Sequence, residues 1–385
     1  MCTSSSPQTI RASVLHGAKD LRLEDRALEA PAAGEVQVAV RATGLCGSDL
    51  HYYGHFANGD ILVKEPLSLG HESAGEVVAV GPDVADLKVG DLVALEVGQP
   101  CGKCARCAEG RYNICPDMRF RSSAKSFPHA QGTLQDRINH PASWCHKLPS
   151  SMSLNVAALL EPLSVAIQAA RRANLEKGHK TEKVLVLGAG AVGLLVAGMC
   201  KVAGVPNVVI ADVDANRVKF AVEHKFADTS FIVPMGPRPT TTDEALATAQ
   251  QTAAAVGALE SKGDKVGQVD IVFECTGVPS CVQAAIYATR PGGKVMLIGM
   301  GTPVQTLPIS AAALREVDIC GVFRYANTYA EGIEILSRTD SEGPDFPTLI
   351  THEFKGLAAV EDAFAMASRK EDDAGKLVIK VLVTN

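Results

Sequence analysis

The sequence predicts an α/β protein in which a β-rich domain is followed by a domain built on a parallel sheet. Three observations lead to this prediction. The 385 residues exceed the roughly 150 of one average domain. Short strands bounded by turn residues fill positions 11–145, and strands alternate with helices from position 183 onward. With 46% hydrophobic and 21% charged residues, the composition is that of a globular protein and excludes a disordered or collagen-like chain.

The β-rich part is predicted from alternation and turn residues. Positions 35–41 alternate strictly and place three valines on one face, which predicts a half-buried antiparallel strand. Positions 76–80 and 91–95 are further strands, separated by Gly-Pro-Asp and Gly-Asp turn sequences. Helices are expected over 156–173 and 328–336, and a last strand over 376–383.

The parallel sheet is predicted from five short runs rich in β-branched residues, with helical segments between several of them. This order is typical of parallel strands joined by helical crossovers. The polar stretch 236–268 is predicted to form a loop and a surface helix. The five predicted strands are 184–187, 208–211, 271–273, 295–298 and 319–322.

Charge and hydropathy exclude several classes of partner. Lys and Arg number 37 against 43 Asp and Glu, a formal charge of −6, so no basic field would attract nucleic acid or an anionic membrane. The first 13 residues are polar and lack the apolar core of a signal peptide. Residues 184–200 are uncharged, but four glycines interrupt them, which favours a strand, a turn and a buried helix over a membrane span.

A glycine motif follows the first strand of the parallel part. Gly188, Gly190 and Gly193 form GxGxxG between a strand and a helix, the context in which such a turn binds the pyrophosphate of a dinucleotide. Asp212 ends the next strand, where a carboxylate accepts hydrogen bonds from the ribose hydroxyls and repels a 2′-phosphate, which favours NAD over NADP. Arg217 is placed to stack on the adenine or to soften that selectivity. The alternative is a glycine turn that only packs helix against strand.

Four of the eleven cysteines lie within positions 101–115. An odd number of cysteines, crowded and without a signal sequence, argues against a secreted disulfide framework and for reduced cytosolic thiols. Four thiolates need a cation, and tetrahedral Zn²⁺ accepts four sulfurs with no open position, which predicts a structural site. An iron–sulfur cluster is the main alternative. The predicted ligands are Cys101, Cys104, Cys107 and Cys115.

A third set of metal-binding residue types is dispersed along the chain. Cys46 follows the alternating strand, His71 and Glu72 follow Gly70, and Glu161 precedes a proline. A thiolate, an imidazole and a carboxylate together make a zinc site that leaves a position for water or substrate. Each residue alone has an ordinary structural interpretation, as a buried thiol, a core histidine or a capping glutamate. Spacing alone does not join them.

A family resemblance does join them. Gly70-His71-Glu72-x2-Gly75-x5-Gly81-x2-Val84 matches, at every position, the signature of the zinc-containing alcohol dehydrogenases of the medium-chain dehydrogenase/reductase superfamily. Within that superfamily the chain resembles the polyol (sorbitol, xylitol and L-arabinitol) dehydrogenases from about residue 12 to 383. The segments that carry this closer resemblance are CGSDLHY from Cys46, EPLSVA from Glu161, FECTG from Phe273, REVDI from Arg315 and GVFRYANT from Gly321.

The resemblance implies a fold, cofactors and an assembly. Residues 1–163 and 324–385 would form a GroES-like catalytic domain, and 164–323 an NAD-binding Rossmann domain. The implied cofactors are NAD and two zinc ions per chain, one catalytic and one structural. The family also implies a cytoplasmic homo-oligomer, commonly a tetramer.

The resemblance also assigns individual residues. Cys46, His71, Glu72 and Glu161 match the catalytic zinc site, and Ser48 and His51 match the proton relay. Tyr52, Phe120, Glu161, Arg324 and Tyr325 match the polyol site. The implied cofactor contacts are Gly188, Gly190, Val192, Gly193, Asp212, Arg217, Ile298, Gly299, Met300, Val322, Phe323 and Arg324. Positions 121–131 depart from the polyol dehydrogenase pattern, which leaves the exact polyol open.

The implied activity is hydride transfer from a secondary hydroxyl of a sugar alcohol to NAD, which yields a ketose. One alternative is a zinc alcohol dehydrogenase for another secondary alcohol. A zinc-free reductase of the same superfamily is disfavoured by the complete set of Cys46, His71 and Glu72. A noncatalytic NAD-sensing or scaffold protein is disfavoured because Ser48 and His51 serve only proton transfer.

Overall fold

Two units make up the chain in the computed structural model, which describes residues 7–176, 178–338 and 343–385. The first unit comprises the described residues of Met1–Glu161, Ala326–Arg338 and Leu349–Asn385. The second comprises those of Pro162–Tyr325 and Thr339–Thr348.

The described strands are numbered in chain order. They are β1 Gln8–Gly17, β2 Asp20–Leu28, β3 Glu35–Gly44, β4 Ala57–Asn58, β5 Ile61–Leu62, β6 Leu67–Ser68, β7 Glu72–Val80, β8 Leu92–Leu95, β9 Gly98–Gln99, β10 Arg119–Phe120, β11 Arg137–Pro141, β12 Cys145–Lys147, β13 Lys183–Leu187, β14 Asn207–Asp212, β15 Thr229–Ile232, β16 Glu260–Ser261, β17 Asp264–Lys265, β18 Val269–Glu274, β19 Thr289–Leu297, β20 Asp318–Gly321, β21 Ile350–Lys355 and β22 Lys380–Thr384.

The described α-helices are numbered in the same way, and short 3₁₀ turns accompany them. The helices are α1 Gly47–His55, α2 Ala105–Ala108, α3 Leu154–Ala157, α4 Leu160–Arg172, α5 Ala191–Val202, α6 Ala215–Glu223, α7 Thr242–Ala258, α8 Pro279–Ala288, α9 Ile309–Ala313, α10 Tyr329–Leu336 and α11 Val360–Ala367. The 3₁₀ turns are Tyr112–Ile114, Ala142–Trp144, Phe346–Leu349 and Leu357–Ala359.

The first unit is built on a sheet of order β12-β8-β7-β3-β22-β21, with β11 also paired to β3. The predicted strand over 35–41 is confirmed within β3 but is buried on both faces rather than one. The reason is its central position, between β7 on one side and β11 and β22 on the other. A core beside this sheet includes side chains from β6, α11 and β22, among them Leu67, Phe364 and Val381.

The second unit is a parallel sheet of order β15-β14-β13-β18-β19-β20. All five predicted strands of this part are confirmed. The order reverses next to β13, which lies between β14 and β18, so this doubly wound sheet has the switch point at which such folds bind ligands. The central strands β13, β14 and β18 are almost wholly buried. Side chains from one face of these strands pack into a core with Val256 of α7 and Ile286 of α8.

Two helical predictions differ from the structure in detail. The single helix expected over 156–173 is two helices, α3 and α4, interrupted at positions 158–159. The polar stretch 236–268 contains the predicted helix, α7, which begins with a capping box between Thr241 and Glu244. It also contains a small β16–β17 hairpin that was not predicted.

The structure also divides the chain differently at positions 343–348, which were expected in the β-rich domain but belong to the second unit. The Phe346 ring packs edge-on against Phe226, with centroids 5.8 Å apart. The Asp345 amide donates to the His224 carbonyl at 3.3 Å. These contacts hold the segment to residues that follow α6.

The uncharged stretch 184–200 forms β13, a glycine turn and most of α5, as predicted, and not one long helix. No helix in the described ranges combines the length and the apolar character needed to cross a bilayer.

Candidate active site

Cys46, His71 and Glu72 form one cluster in the first unit, with one ligand atom of each within 4.8 Å of the others. Cys46 caps the start of α1 directly after β3, and Glu72 begins β7. The antiparallel pairing of β3 with β7 places Gly44 opposite Glu72. A Cβ at position 44 would collide with Glu72 Oε2, so glycine lets that carboxylate lie across β3. The pairing of β3 with β7 therefore brings together residues whose spacing along the sequence did not predict a cluster.

A buried carboxylate, Asp49, orients the cluster. Its Oδ1 accepts hydrogen bonds from the Gly70 amide at 3.2 Å and the Ser122 hydroxyl at 2.7 Å, and it lies 3.2 Å from His71 Nδ1. Its Oδ2 accepts from the Cys46 amide at 3.1 Å. With Nδ1 held by a carboxylate, Nε2 is the histidine nitrogen left for a metal, the usual arrangement around protein zinc.

The charge of Glu72 is balanced by a buried lysine from the last strand. Lys380 Nζ lies 2.8 Å and 2.6 Å from the two Glu72 oxygens and donates to the Leu45 carbonyl at 3.1 Å. Lys380 is 4% exposed and Glu72 1%. Burial opposes the ammonium charge, but Glu72, Cys46 and Glu161 together raise the pKa of Lys380 above its ordinary value.

The donor set fits zinc. A thiolate, an imidazole and a carboxylate are zinc's usual protein ligands, and three of them leave a position for another group. Glu161 is not one of the three clustered ligand residues. It is buried in the first turn of α4. Of the residues that the structure describes, Cys46, His71 and Glu72 could hold a catalytic zinc.

The other residues implied in this unit lie on β10 and on α1. The Phe120 ring packs 5.7 Å from the His71 ring. Tyr52 is buried, and its hydroxyl accepts a hydrogen bond from the Ala124 amide at 3.2 Å. Ser48 and His51 are one helical turn apart on α1, with Ser48 half-buried and His51 exposed.

The four predicted cysteines of the 101–115 segment form a second cluster, again with sulfurs within 4.8 Å of one another. Cys104 Sγ lies 3.5 Å from Cys107 Sγ, and the Cys101 amide donates to Cys115 Sγ at 3.4 Å. Backbone amides of residues 103 and 104 lower the pKa of Cys101 to about 7, whereas burial and the neighbouring Cys104 raise the pKa of Cys107 to about 12. A cation is therefore needed to hold all four sulfurs as thiolates. Four sulfurs complete a tetrahedron, so this cluster fits a structural zinc.

In the second unit the glycine motif lies at the end of β13, beside the switch point. Gly188 has φ +101°, a conformation that favours glycine. Gly190 is the N-cap of α5. A Cβ on Gly193 would collide with the Gly188 carbonyl. The backbone thus makes the tight turn that presents a helix N-terminus to a pyrophosphate.

Asp212 ends β14 and accepts a hydrogen bond from the glycine turn after β13. Its Oδ2 accepts a hydrogen bond from the Ala189 amide at 2.7 Å, and its Oδ1 accepts from the Asp214 amide at 3.0 Å. Arg217 Nη1 lies 3.8 Å from the position that a Cβ on Gly190 would take. The structure therefore brings Asp212 and Arg217 to the glycine motif; Val192 lies half-buried in the first turn of α5.

The remaining implied cofactor residues follow the next strands of the same sheet. The Ile298 and Gly299 amides both donate to the Glu274 carbonyl at 2.9 Å, just after β19. The Val322 amide donates to the Leu297 carbonyl at 2.9 Å, just after β20. Met300 and Phe323 are exposed, the Arg324 guanidinium lies 4.9 Å from the Phe323 ring centroid, and Tyr325 is buried. All of these residues lie at carboxyl ends of parallel strands, the edge where such sheets bind cofactors.

Sequence reasoning missed three residues of the cluster's surroundings: Asp49, Ser122 and Lys380. An acidic residue three positions after a cap is a recognised capping signal, so Asp49 was detectable. A lone lysine inside the apolar run 378–383 was a signal for Lys380. Ser122 had no such signal, because its role depends on a left-handed backbone with φ +63°.

A switch-point glycine turn in one unit and an open three-ligand cluster in the other define the class of zinc- and nucleotide-dependent dehydrogenases. Residues 32–150 match the alcohol dehydrogenase GroES-like domain, and residues 191–338 match the zinc-binding dehydrogenase family.

Full-length relatives agree with this class. The chain is 40% identical over 372 residues to a sorbitol dehydrogenase of Arabidopsis thaliana, covering 96% of this chain and 94% of that protein. It is 38% identical over 359 residues to L-idonate 5-dehydrogenase of Vitis vinifera, covering 93% and 91%. Among solved structures, L-idonate 5-dehydrogenase of Escherichia coli has a TM-score of 0.81 at 28% identity, covering 99% and 100%. The chain belongs to the zinc-dependent medium-chain dehydrogenase family, in its sorbitol dehydrogenase-like branch.

Proposed function

We propose that the protein oxidises a secondary hydroxyl of a five- or six-carbon polyol to a ketone, with NAD as the hydride acceptor. The observation that carries this proposal is the Cys46–His71–Glu72 cluster, in which His71 and Glu72 are buried and Cys46 is half-buried and followed on α1 by Ser48 and His51. Sorbitol and L-idonate dehydrogenases among the relatives support a polyhydroxylated substrate. The β-rich unit is assigned the catalysis and the parallel-sheet unit the cofactor, in a cytoplasmic homo-oligomer.

The chain's own residues have distinct tasks in this proposal. When bound, zinc supplies Lewis acidity that makes a carbinol easier to deprotonate, and NAD supplies the hydride acceptor. Asp49 and Lys380 hold His71 and Glu72 in place. Ser48 and His51 lie one turn apart on the same face of α1, so a proton released near Ser48 can reach the exposed imidazole of His51. An imidazole suits this task because one ring nitrogen can accept a proton while the other already carries one.

We expect Asp212 to determine the preference for NAD. The change Asp212→Ser removes a carboxylate that would accept the ribose hydroxyls, so the KM for NAD should rise while NADP is better tolerated. The switch should remain partial, because a neutral side chain supplies no partner for a 2′-phosphate. Steady-state kinetics with both cofactors measures this. Asp214→Ser, which removes a neighbouring carboxylate but keeps a side chain able to cap α6, is the control; a wild-type enzyme faster with NADP than with NAD would contradict the assignment.

Arg324 is proposed to select polyols, together with Tyr52, Phe120, Glu161 and Tyr325. A guanidinium offers directed donors to the hydroxyls beside the reacting carbon, and a site built for such bonds rejects substrates that lack them. Arg324→Ala should therefore lower kcat/KM for the best polyol by the equivalent of about 2–3 kcal/mol and should change that of a simple secondary alcohol little. Equal losses on both substrates would remove Arg324 from polyol recognition.

A screen of NADH formation tests the function as a whole. The substrates are sorbitol, xylitol, L-arabinitol, galactitol, 2-propanol and ethanol, and each chain should contain two zinc ions by metal analysis. We expect at least one polyol to exceed ethanol by orders of magnitude in kcat/KM. A better rate with 2-propanol than with every polyol would instead support a dehydrogenase of simple secondary alcohols.

A further inference from the structure

Two histidines on α1 differ from all the others in the chain. The sequence has ten histidines, all within the described ranges, and of these only His51 and His55 are exposed. Ring nitrogens of seven others lie within hydrogen-bond distance of a protein atom. The eighth, His224, packs on Phe220 with ring centroids 4.1 Å apart. His51 and His55 make no hydrogen bond through their rings to any described residue.

The two rings already face each other on one side of the helix. Residues four apart lie one above the other on an α-helix, and the His51 and His55 ring centroids are 6.3 Å apart, with planes inclined by 29°. Other sides of α1 are held in the protein, because Asp49 and Tyr52 are buried. The Phe56 amide also closes the helix by donating to the Tyr52 carbonyl at 2.8 Å. Only side-chain rotation is needed to bring the two ring nitrogens to one ion.

We propose that His51 and His55 form a binding site for a late first-row divalent cation, such as Zn²⁺, Cu²⁺ or Ni²⁺, and that its occupancy inhibits the enzyme. Two imidazoles at helical spacing i, i+4 are a recurrent chelating pair for such ions, and water completes the coordination. Hard cations such as Mg²⁺ prefer oxygen ligands and should not bind here.

Inhibition follows from the task given to His51, so this part of the proposal rests on the proposed function. A histidine that accepts a proton must have a free lone pair on the ring nitrogen. A cation coordinated at that nitrogen occupies the lone pair and repels an arriving proton. The site is separate from the Cys46–His71–Glu72 cluster, whose His71 is buried and held by Asp49.

Ni²⁺ is the probe, added to zinc-loaded enzyme in a buffer without chelator. Isothermal titration should show one Ni²⁺ per chain in the wild type, and His55→Gln should weaken that binding by about tenfold or more. In polyol-dependent NADH formation, Ni²⁺ should inhibit the wild type but not His55→Gln, whose activity without Ni²⁺ should be unchanged. Mg²⁺ should have no effect, and zinc content after titration should equal its starting value, which excludes metal exchange.

His224→Gln is the matched control and should behave as the wild type in both measurements. Equal Ni²⁺ binding by wild type and His55→Gln overturns the site. Binding that depends on His55 without inhibition overturns the inhibitory role. If no polyol is oxidised, the proposed function fails, and the titration still decides whether the cation site exists.

Discussion

Replacing Cys46 with alanine is expected to abolish NAD-linked oxidation while leaving the fold intact. The substitution removes one of the three ligands that cluster at this site among the described residues. A metal ion there contributes several kcal/mol to transition-state stabilisation, so kcat should fall by about three orders of magnitude or more. The fold should persist because Cys46 is only half-buried and lies at the start of α1, outside the described core clusters.

Two further variants make the measurement of Cys46→Ala specific. The half-buried Cys320 belongs to neither cluster, so Cys320→Ser should keep both zinc ions and near wild-type kcat. Cys104→Ser should instead lose the other zinc and lower the melting temperature, because a closed four-thiolate site contributes folding free energy. Cys46→Ala should lose one zinc with little change in melting temperature. Wild-type turnover by Cys46→Ala would remove this cluster from the mechanism.

The second large effect is expected from Lys380→Met. This change leaves the carboxylate of Glu72 buried without its cation, and breaking a buried ion pair in this way typically costs about 3–5 kcal/mol. The free energy of unfolding of zinc-depleted protein should fall by that amount. The loss should be smaller in zinc-loaded protein, because a metal cation beside Glu72 would stabilise the same carboxylate. Urea denaturation of both forms measures the two values.

A double-mutant cycle separates the ion pair from packing. Lys380→Met combined with Glu72→Gln should regain part of the lost stability, since the second change removes the stranded charge. Arg41→Met is the matched control, because Arg41 pairs with Glu76 at 3.3 Å on the surface and such exposed pairs contribute at most about 1 kcal/mol. Equal losses for Lys380→Met and Arg41→Met would mean that Glu72 does not need a cation.

The parallel-sheet unit was predictable in most of its detail because its signals are local. The five predicted strands are short apolar runs, and the glycine motif lies within six residues between a strand and a helix. The sixth strand, β15 at the edge of the sheet, was not predicted. The four cysteines of the second cluster are similarly close in sequence, so a short loop brings their sulfurs together. The segment 343–348 was not predictable, because its place depends on Phe346 meeting Phe226, more than a hundred residues earlier.

The sequence by itself determined the α/β class, five of the six strands of the parallel sheet, the glycine motif and the four-cysteine cluster. Only the tertiary structure decided how the open cluster is assembled. Strand register places Glu72 opposite Gly44. The last strand supplies Lys380, which is 308 positions from Glu72 in the sequence. Ser122, whose backbone is in the left-handed region, donates a hydrogen bond to Asp49. The physical reason is the distance along the chain over which each kind of signal acts. Propensity and periodicity act over a few neighbouring residues, whereas a metal site needs atoms a few ångströms apart, and only sheet pairing brings distant parts of the chain so close.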